Sequence, residues 1–200
     1  MSRGIDEKRD RILTAAMDAF MEHGFAAATT LEIATRAKVS KRELYALVGN
    51  KEEMLAACVA RRGQRMRLPA DFPAPTDRAS LREALRIYGL TMLHELTDPN
   101  VVAVFRLATS EWKRSPGVAA SINEQGRKPA RSALESLLRS ARAAKVLKDA
   151  DLADMVIHYQ GLLWGDYVWL MLGTEKAPTA REMERRAAEA ADLFLVLHGR

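Results

Sequence analysis

The spacing of apolar positions predicts helix along most of the chain. Ile5, Ile12, Leu13, Ala16, Met17, Phe20 and Met21 form one stripe of a helix over 5–23, and Gly24 is its expected C-terminal stop. Thr29-Thr30-Leu31-Glu32 then has the form of a capping box, with Thr29 as the cap and Glu32 reaching back. Ser40-Lys41-Arg42-Glu43 is a second box, and Asn50-Lys51-Glu52-Glu53 a related third start. Starts this close together require short helices and tight turns. One helix should end near Ala37, the next should cover 40–47, and a longer one should run from Lys51 to about Met66.

Residues 68–77, LPADFPAPTD, hold three of the seven prolines and are the predicted linker. Beyond them the pattern gives long helices at about 77–97, 100–114, 117–145, 150–173 and 178–198, with Pro99, Pro116 and Pro178 at starts or breaks. No useful alternating strand pattern and no internal repeat appears. The prediction is an all-α fold in two parts. A three-helix helix-turn-helix domain over 1–67 precedes a larger helical domain over 68–200.

Charge sharpens that division. The 200 residues carry a formal net charge of +5, which suits an anionic partner without naming one. Residues 1–67 hold 13 Lys and Arg against 9 Asp and Glu, whereas 68–200 hold 18 against 17, so the basic surplus is N-terminal. Hydrophobic residues at 48% allow a sizeable core, and aromatics at only 6% favour helix over sheet. Cys58 is the sole cysteine, which excludes an intrachain disulfide and fits a reducing interior. The start MSRGIDEKRD lacks a signal-peptide core, and the longest apolar stretch, 161–173, is interrupted by Asp166. A soluble, cytoplasmic protein with no membrane partner is expected.

Two short helices joined by a tight turn between longer ones describe a helix-turn-helix unit. The first turn of its second helix meets base edges in the major groove. Here that turn holds Ser40, Lys41 and Arg42, and Lys and Arg suit both guanine O6/N7 and phosphate. From charge alone the same residues read as a solvated helix face, so the wider pattern has to decide.

That pattern is ILTAAMDAFMEHGFAAATTLEIATRAKVSKRELYALVGNKEEML, with Ala16, Phe20, Gly24, Phe25, Thr29, Ile33, Ala34, Val39, Ser40, Leu44, Tyr45, Lys51 and Leu55 spaced as a set. Over roughly residues 8–58 it resembles the N-terminal domain of the TetR family of bacterial transcriptional regulators. The resemblance implies that Thr29 and Thr30, at the first short helix, and Tyr45 and Lys51 contact DNA phosphates. It also implies that Lys41, Arg42 and Leu47 face bases or the adjacent backbone. Lys38 stands where the family usually has a turn glycine, Leu47 replaces a common histidine, and Val48 replaces the usual aromatic.

Residues 105–127 and 144–165 are similar to the AefR-like C-terminal class of these regulators, which implies a homodimer interface and a small-molecule cavity. The residues agree on their own terms. Helix 150–173 has one stripe of Leu152, Met155, Val156, Tyr159, Leu162, Leu163 and Leu170, and another face of Ile157, Trp164, Val168 and Met171. A helix apolar nearly all round must be covered on both sides. Helix 178–198 carries Met183, Ala187, Ala190, Ala191, Phe194 and Leu197, which would allow close approach in a four-helix interface. Tyr88, Met92, Phe105, Trp112, Tyr159, Trp164 and Tyr167 read either as walls of an effector pocket or as plain core. An apolar or aromatic effector is expected, with Glu111 and Asp166 the acids that would favour a cationic one.

No catalytic or phosphate-loop motif appears. Asp154 and His158, four apart with Asp151 nearby, read as an ion pair before a metal site, and Cys58 reads as core. No enzyme, metal or cofactor is expected. The resemblance implies a ligand-responsive regulator, with repression as the family prior. Its dimer would bind a near-palindromic double-stranded DNA operator and release it when a small molecule fills the C-terminal cavity.

Overall fold

Most helices in the computed structural model begin where a side chain takes over backbone groups that the first turn leaves unpaired. The structure describes the chain except Met1, Arg67, Leu68, Ala70, Asp71 and Asp166 and the side chains of Ser2 and Arg3. The expected boundary at 67–68, part of the linker, and Asp166 thus lie outside the described residues.

In chain order the helices are α1 (Ser2–Ala27), α2 (Thr30–Ala37), α3 (Lys41–Leu47), α4 (Lys51–Arg65), α5 (Arg78–Leu96) and α6 (Pro99–Ser110). Next come α7 (Pro116–Ile122), a π-helical turn at Asn123–Arg127, and α8 (Lys128–Ala143). The last three are α9 (Leu152–Trp164), α10 (Tyr167–Leu172) and α11 (Ala180–His198). The described residues contain no strand, only an isolated bridge between Leu147 and Gly199. The fold is all-α, with a helix-turn-helix domain followed by a C-terminal helical domain.

Three segments differ from expectation for local reasons. The helix expected over 117–145 contains the π-helical turn just before Pro129. Pro129 has no N–H for the carbonyl four residues earlier and its ring crowds that carbonyl, so the helix widens there. The helix expected over 150–173 is two helices, because Gly165 sits at φ 47° and ψ −123°, a backbone that side-chain-bearing residues avoid. Arg186 covers this break and donates to the Trp164 carbonyl at 3.2 Å. The helix expected over 100–114 stops at Ser110 and continues as turns.

Contacts divide the chain into two compact units. Met1–Gln64 and Ala103–Arg127 make the first, and Arg65–Val102 and Lys128–Arg200 the second. The first has a core of Ile12, Ala16, Phe20, Phe25, Ile33, Leu44, Met54 and Leu55, which Leu107, Ala108 and Val118 complete. Cys58 is also buried there, with its thiol donating to the Leu13 carbonyl at 3.3 Å. Burial pushes that thiol up to about 12, so it stays protonated and unreactive, as the core reading expects.

The second unit wraps its core around α5, α9 and α11. Leu81, Leu85, Tyr88, Met92, Leu134, Leu138, Met155, Tyr159, Leu163, Ala187, Ala191 and Phe194 pack together. Arg82 forks onto both oxygens of Asp192 at 2.5 and 2.7 Å, and Arg86 joins Glu83 to Glu184, tying α5 to α11 at the surface. No helix among the described residues is long and apolar enough to cross a membrane.

Gly89 permits the closest approach in this core. A Cβ there would lie 2.4 Å from the Tyr159 hydroxyl and 3.0 Å from Leu163. That hydroxyl donates to the Leu85 carbonyl at 2.6 Å. Gly89→Ala is therefore expected to displace Tyr159 and lower stability by about 1–3 kcal/mol, measured as a drop in the urea midpoint. An unchanged midpoint would show that the packing is looser than these distances require.

Candidate nucleic-acid interface

The first unit builds an exposed surface from α2, α3 and the start of α4. Thr29 caps α2, its hydroxyl accepting from the Glu32 amide at 3.2 Å. The expected return bond from Glu32 does not form. Its carboxylate turns to His23 at 2.9 Å and Arg36 at 2.5 Å, so this box is half a box. The turn passes through Lys38 at φ 54° and ψ 49°, a left-handed conformation at the position where a turn glycine is usual. A lysine held so costs on the order of 1 kcal/mol, which the packed turn offsets. Val39 N–H reaches the Ala34 carbonyl at 3.0 Å and closes the turn.

Ser40 caps α3 with a complete capping box. Its hydroxyl accepts from the Glu43 amide at 3.1 Å, and its own amide donates to the Glu43 carboxylate at 2.9 Å. Leu44 is fully buried and fixes which face of α3 points inward. Lys41 and Arg42 point outward, exposed and without a hydrogen-bonding or ionic partner among the described residues. Tyr45 is 46% exposed, its hydroxyl 3.4 Å from that of Thr30. Thr29, Thr30, Ser40, Lys41, Arg42 and Tyr45 thus belong to α2, α3 and their caps, as the sequence suggested.

Lys51 is placed differently from expectation. Its ammonium donates to the carbonyls of Phe25, Ala26 and Ala28 at 2.8, 3.0 and 3.0 Å. It also lies 5.1 Å from the centre of the Phe25 ring. All three of its donors are engaged, so this side chain seals the end of α1, where the resemblance implied a contact with DNA phosphate.

Glu22, His23 and Glu32 offer ligand atoms close enough together to hold a metal. Arg36 already stands among them, 2.6 Å from Glu22 and 2.5 Å from Glu32, so the cluster has its cation. The Asp154–His158 ion pair is not what forms. His158 Nδ1 lies 3.0 Å from His198 Nε2, a ring-to-ring hydrogen bond between α9 and α11. Burial, aided by His158 and Lys148, holds His198 below its ordinary value.

The expected pocket residues separate. Tyr88, Met92 and Tyr159 lie in the second unit's core, and Trp164 packs against it. The Tyr88 and Tyr159 rings are 6.1 Å apart, and burial raises both hydroxyls. Tyr88 donates to the Ala130 carbonyl at 3.0 Å, and Tyr167 to the Leu96 carbonyl at 2.6 Å. Trp112 instead belongs to the first unit and is 62% exposed, with Lys113 5.2 Å from its ring centre. Phe105 is also in the first unit and half-buried. Neither joins the core cluster that holds Tyr88, Met92 and Tyr159.

Residues 12–58 match the family described as bacterial regulatory proteins, tetR family. Residues 83–200, more than half the chain, match the C-terminal domain of AefR-like transcriptional repressors. The chain belongs to the TetR family. No curated protein sequence matches it.

Among solved structures, this TetR-family chain is similar to a TetR transcriptional regulator from Agrobacterium tumefaciens. That regulator is 25% identical with a TM-score of 0.80, over 96% of this chain and 94% of its own. The flavonoid-responsive regulator FrrA is 30% identical with a TM-score of 0.76, over 96% and 97%. A SmeT–triclosan complex, 24% identical over 96% and 92% with a TM-score of 0.68, shares the fold.

The geometry of Lys51 in this TetR-family head generates a test. Lys51→Ala leaves three carbonyls without their donor and is expected to cost about 1–3 kcal/mol of stability. The salt dependence of DNA binding should keep its wild-type slope. A slope shallower by about 1 with stability intact would restore the phosphate role.

Proposed function

We propose that this DNA-binding transcriptional regulator is a homodimeric repressor working in the cytoplasm, one that leaves a near-palindromic operator when a small molecule binds its C-terminal domain. Residues 1–67 carry the DNA-reading role, and 68–200 carry dimerisation and effector binding. The observation that carries the reading is the exposed pair Lys41 and Arg42 on the first turn of a fully capped α3, within the segment matched to the family. On a major groove this turn presents both cations to base edges. Thr29, Thr30 and Tyr45 flank it and serve as backbone contacts. No catalytic step enters the reading.

An apolar, aromatic effector suits the second unit. Tyr88, Met92 and Tyr159 lie closed in its core and Trp164 packs against it, so such an effector would part these aromatic and thioether side chains to enter. Every buried side-chain nitrogen and oxygen among the described residues has a partner, so no polar group there awaits a polar ligand. FrrA responds to flavonoids and SmeT is seen with triclosan, aromatic molecules of this kind. Phe105 and the exposed Trp112 are not assigned to this surface.

The test of DNA reading is enrichment of duplexes from a random pool. Wild type should recover a near-palindromic site with half-sites about one helical turn, roughly 34–36 Å, apart. Lys41→Ala or Arg42→Ala should cost roughly 1–3 kcal/mol at particular base pairs. Unchanged operator affinity in both variants would remove α3 from the reading role.

The dimer face follows from exposure. Met183, Ala187, Ala190, Ala191 and Phe194 of α11 are buried within the protomer, so they are core and not a free interface as the sequence suggested. Leu193, Val196 and Leu197 of α11 and Ile157 of α9 are 51%, 69%, 52% and 55% exposed and form the candidate face. Leu193→Arg or Val196→Glu should give a folded monomer with weak operator binding. Light scattering that shows one-chain mass for wild type at micromolar concentration would refute the dimer.

A further inference from the structure

Three basic side chains of α1, Lys8, Arg9 and Arg11, reach the two short helices, and all precede residue 12, where the family match begins. Lys8 Nζ donates to Glu43 Oε1 at 2.7 Å. The other oxygen of that carboxylate, Oε2, accepts from both the amide and the hydroxyl of Ser40 at 2.9 Å. One carboxylate therefore joins α1 to the cap of α3. At the opposite end of α3, Arg9 donates to the Leu47 carbonyl at 3.4 Å, and Arg11 donates to the last carbonyl of α2, Ala37, at 3.1 Å. Cations at helix C-termini also complement the helix dipole.

We infer that Lys8 and Arg9 are positioning residues that hold both ends of α3 and so set the presentation of Lys41 and Arg42, without themselves contacting DNA. This rests on the reading of α3 as the DNA-reading helix. A Glu43 carboxylate held at one oxygen by the cap and at the other by an ammonium has little rotamer freedom. The backbone of Ser40, and the two residues after it, inherit that restriction. The Lys8–Glu43 pair is about half exposed and contributes little to overall stability. Its effect lies in geometry, since recognition needs side chains held within about 0.5 Å of the productive position. Lys8 holds Glu43 well below the ordinary carboxylate range, down to about 2, with the Ser40 bonds adding to the effect, so the clamp stays charged at neutral pH.

The test measures binding by fluorescence anisotropy across a salt series, on a duplex enriched by wild type and on an unrelated duplex of equal length. The proteins are wild type, Lys8→Arg, Lys8→Met, Glu43→Gln and the double variant Lys8→Met/Glu43→Gln. Gln at 43 can still cap Ser40, so this substitution isolates the ionic link. Each single loss should weaken the enriched duplex about three- to fivefold and leave the unrelated duplex and the salt slope unchanged. Lys8→Arg should retain wild-type affinity, and the double variant should lose no more than either single one. Equal weakening of both duplexes with a slope shallower by about 1 would make Lys8 a phosphate contact and overturn the inference. Additive losses, or no loss at all, would overturn it too. If wild type enriches no duplex, the DNA reading itself fails. Hydrogen exchange then decides the clamp, because faster α3 amides in Lys8→Met sustain it and unchanged rates overturn it.

Discussion

A helix of seven residues hardly recovers the entropy of its own nucleation, so α3 exists because neighbouring elements hold it. Leu44 is its one fully buried side chain, set among Ile12, Phe20, Ile33 and Leu55 of the first unit's core. Burying a leucine contributes about 1.5–3 kcal/mol, enough to fix the inward face but not the direction of the helix axis. Direction comes from polar contacts at the ends, where Ser40 and Glu43 close the first turn and α1 reaches in from outside. Everything this surface presents to a partner follows from that division between an apolar anchor and polar stays.

Net charge is consequently a poor map of the surface that meets DNA. Lys8, Arg11, Arg36 and Lys51 all count toward the N-terminal basic surplus, and each has a partner inside the first unit. Lys41 and Arg42 have none among the described residues. A formal surplus describes the field at long range, where it speeds encounter with an anionic partner. Which cations take part in the final contact depends on which carbonyls and carboxylates the fold leaves open.

The sequence made the helical architecture legible because its signals are local. Ser40-x-x-Glu43 and Thr179-x-x-Glu182 both form reciprocal boxes, and Asp77 closes a similar pair with Ser80. The Thr29-x-x-Glu32 pattern formed only in part, since His23, brought near by the packing of α1, and Arg36, one turn further along α2, compete for the acid. The break at Gly165 and the widened turn before Pro129 depend on residues the apolar stripe ignores. In the candidate site, the cap and the outward cations were readable from spacing. Lys51 was not, because the carbonyls it meets are about 25 residues away in sequence. Ala191 and Phe194 misled for a related reason: an amphipathic stripe shows that a face is covered, not whether the cover is the same chain or another copy.

The first unit is not contiguous in sequence. Leu107, Ala108 and Val118 complete the core that Phe20 and Leu55 begin, though a proline-containing segment and all of α5 separate them along the chain. This bears on modularity. A reading head excised at the linker and grafted onto another family member would leave those three side chains behind, and its core would have to be filled by whatever the recipient supplies at the corresponding place. Transfer of this head between relatives is thus a matter of transplanting two separate stretches together, and a crossover within 65–102 divides both compact units while leaving α1 to α4 intact.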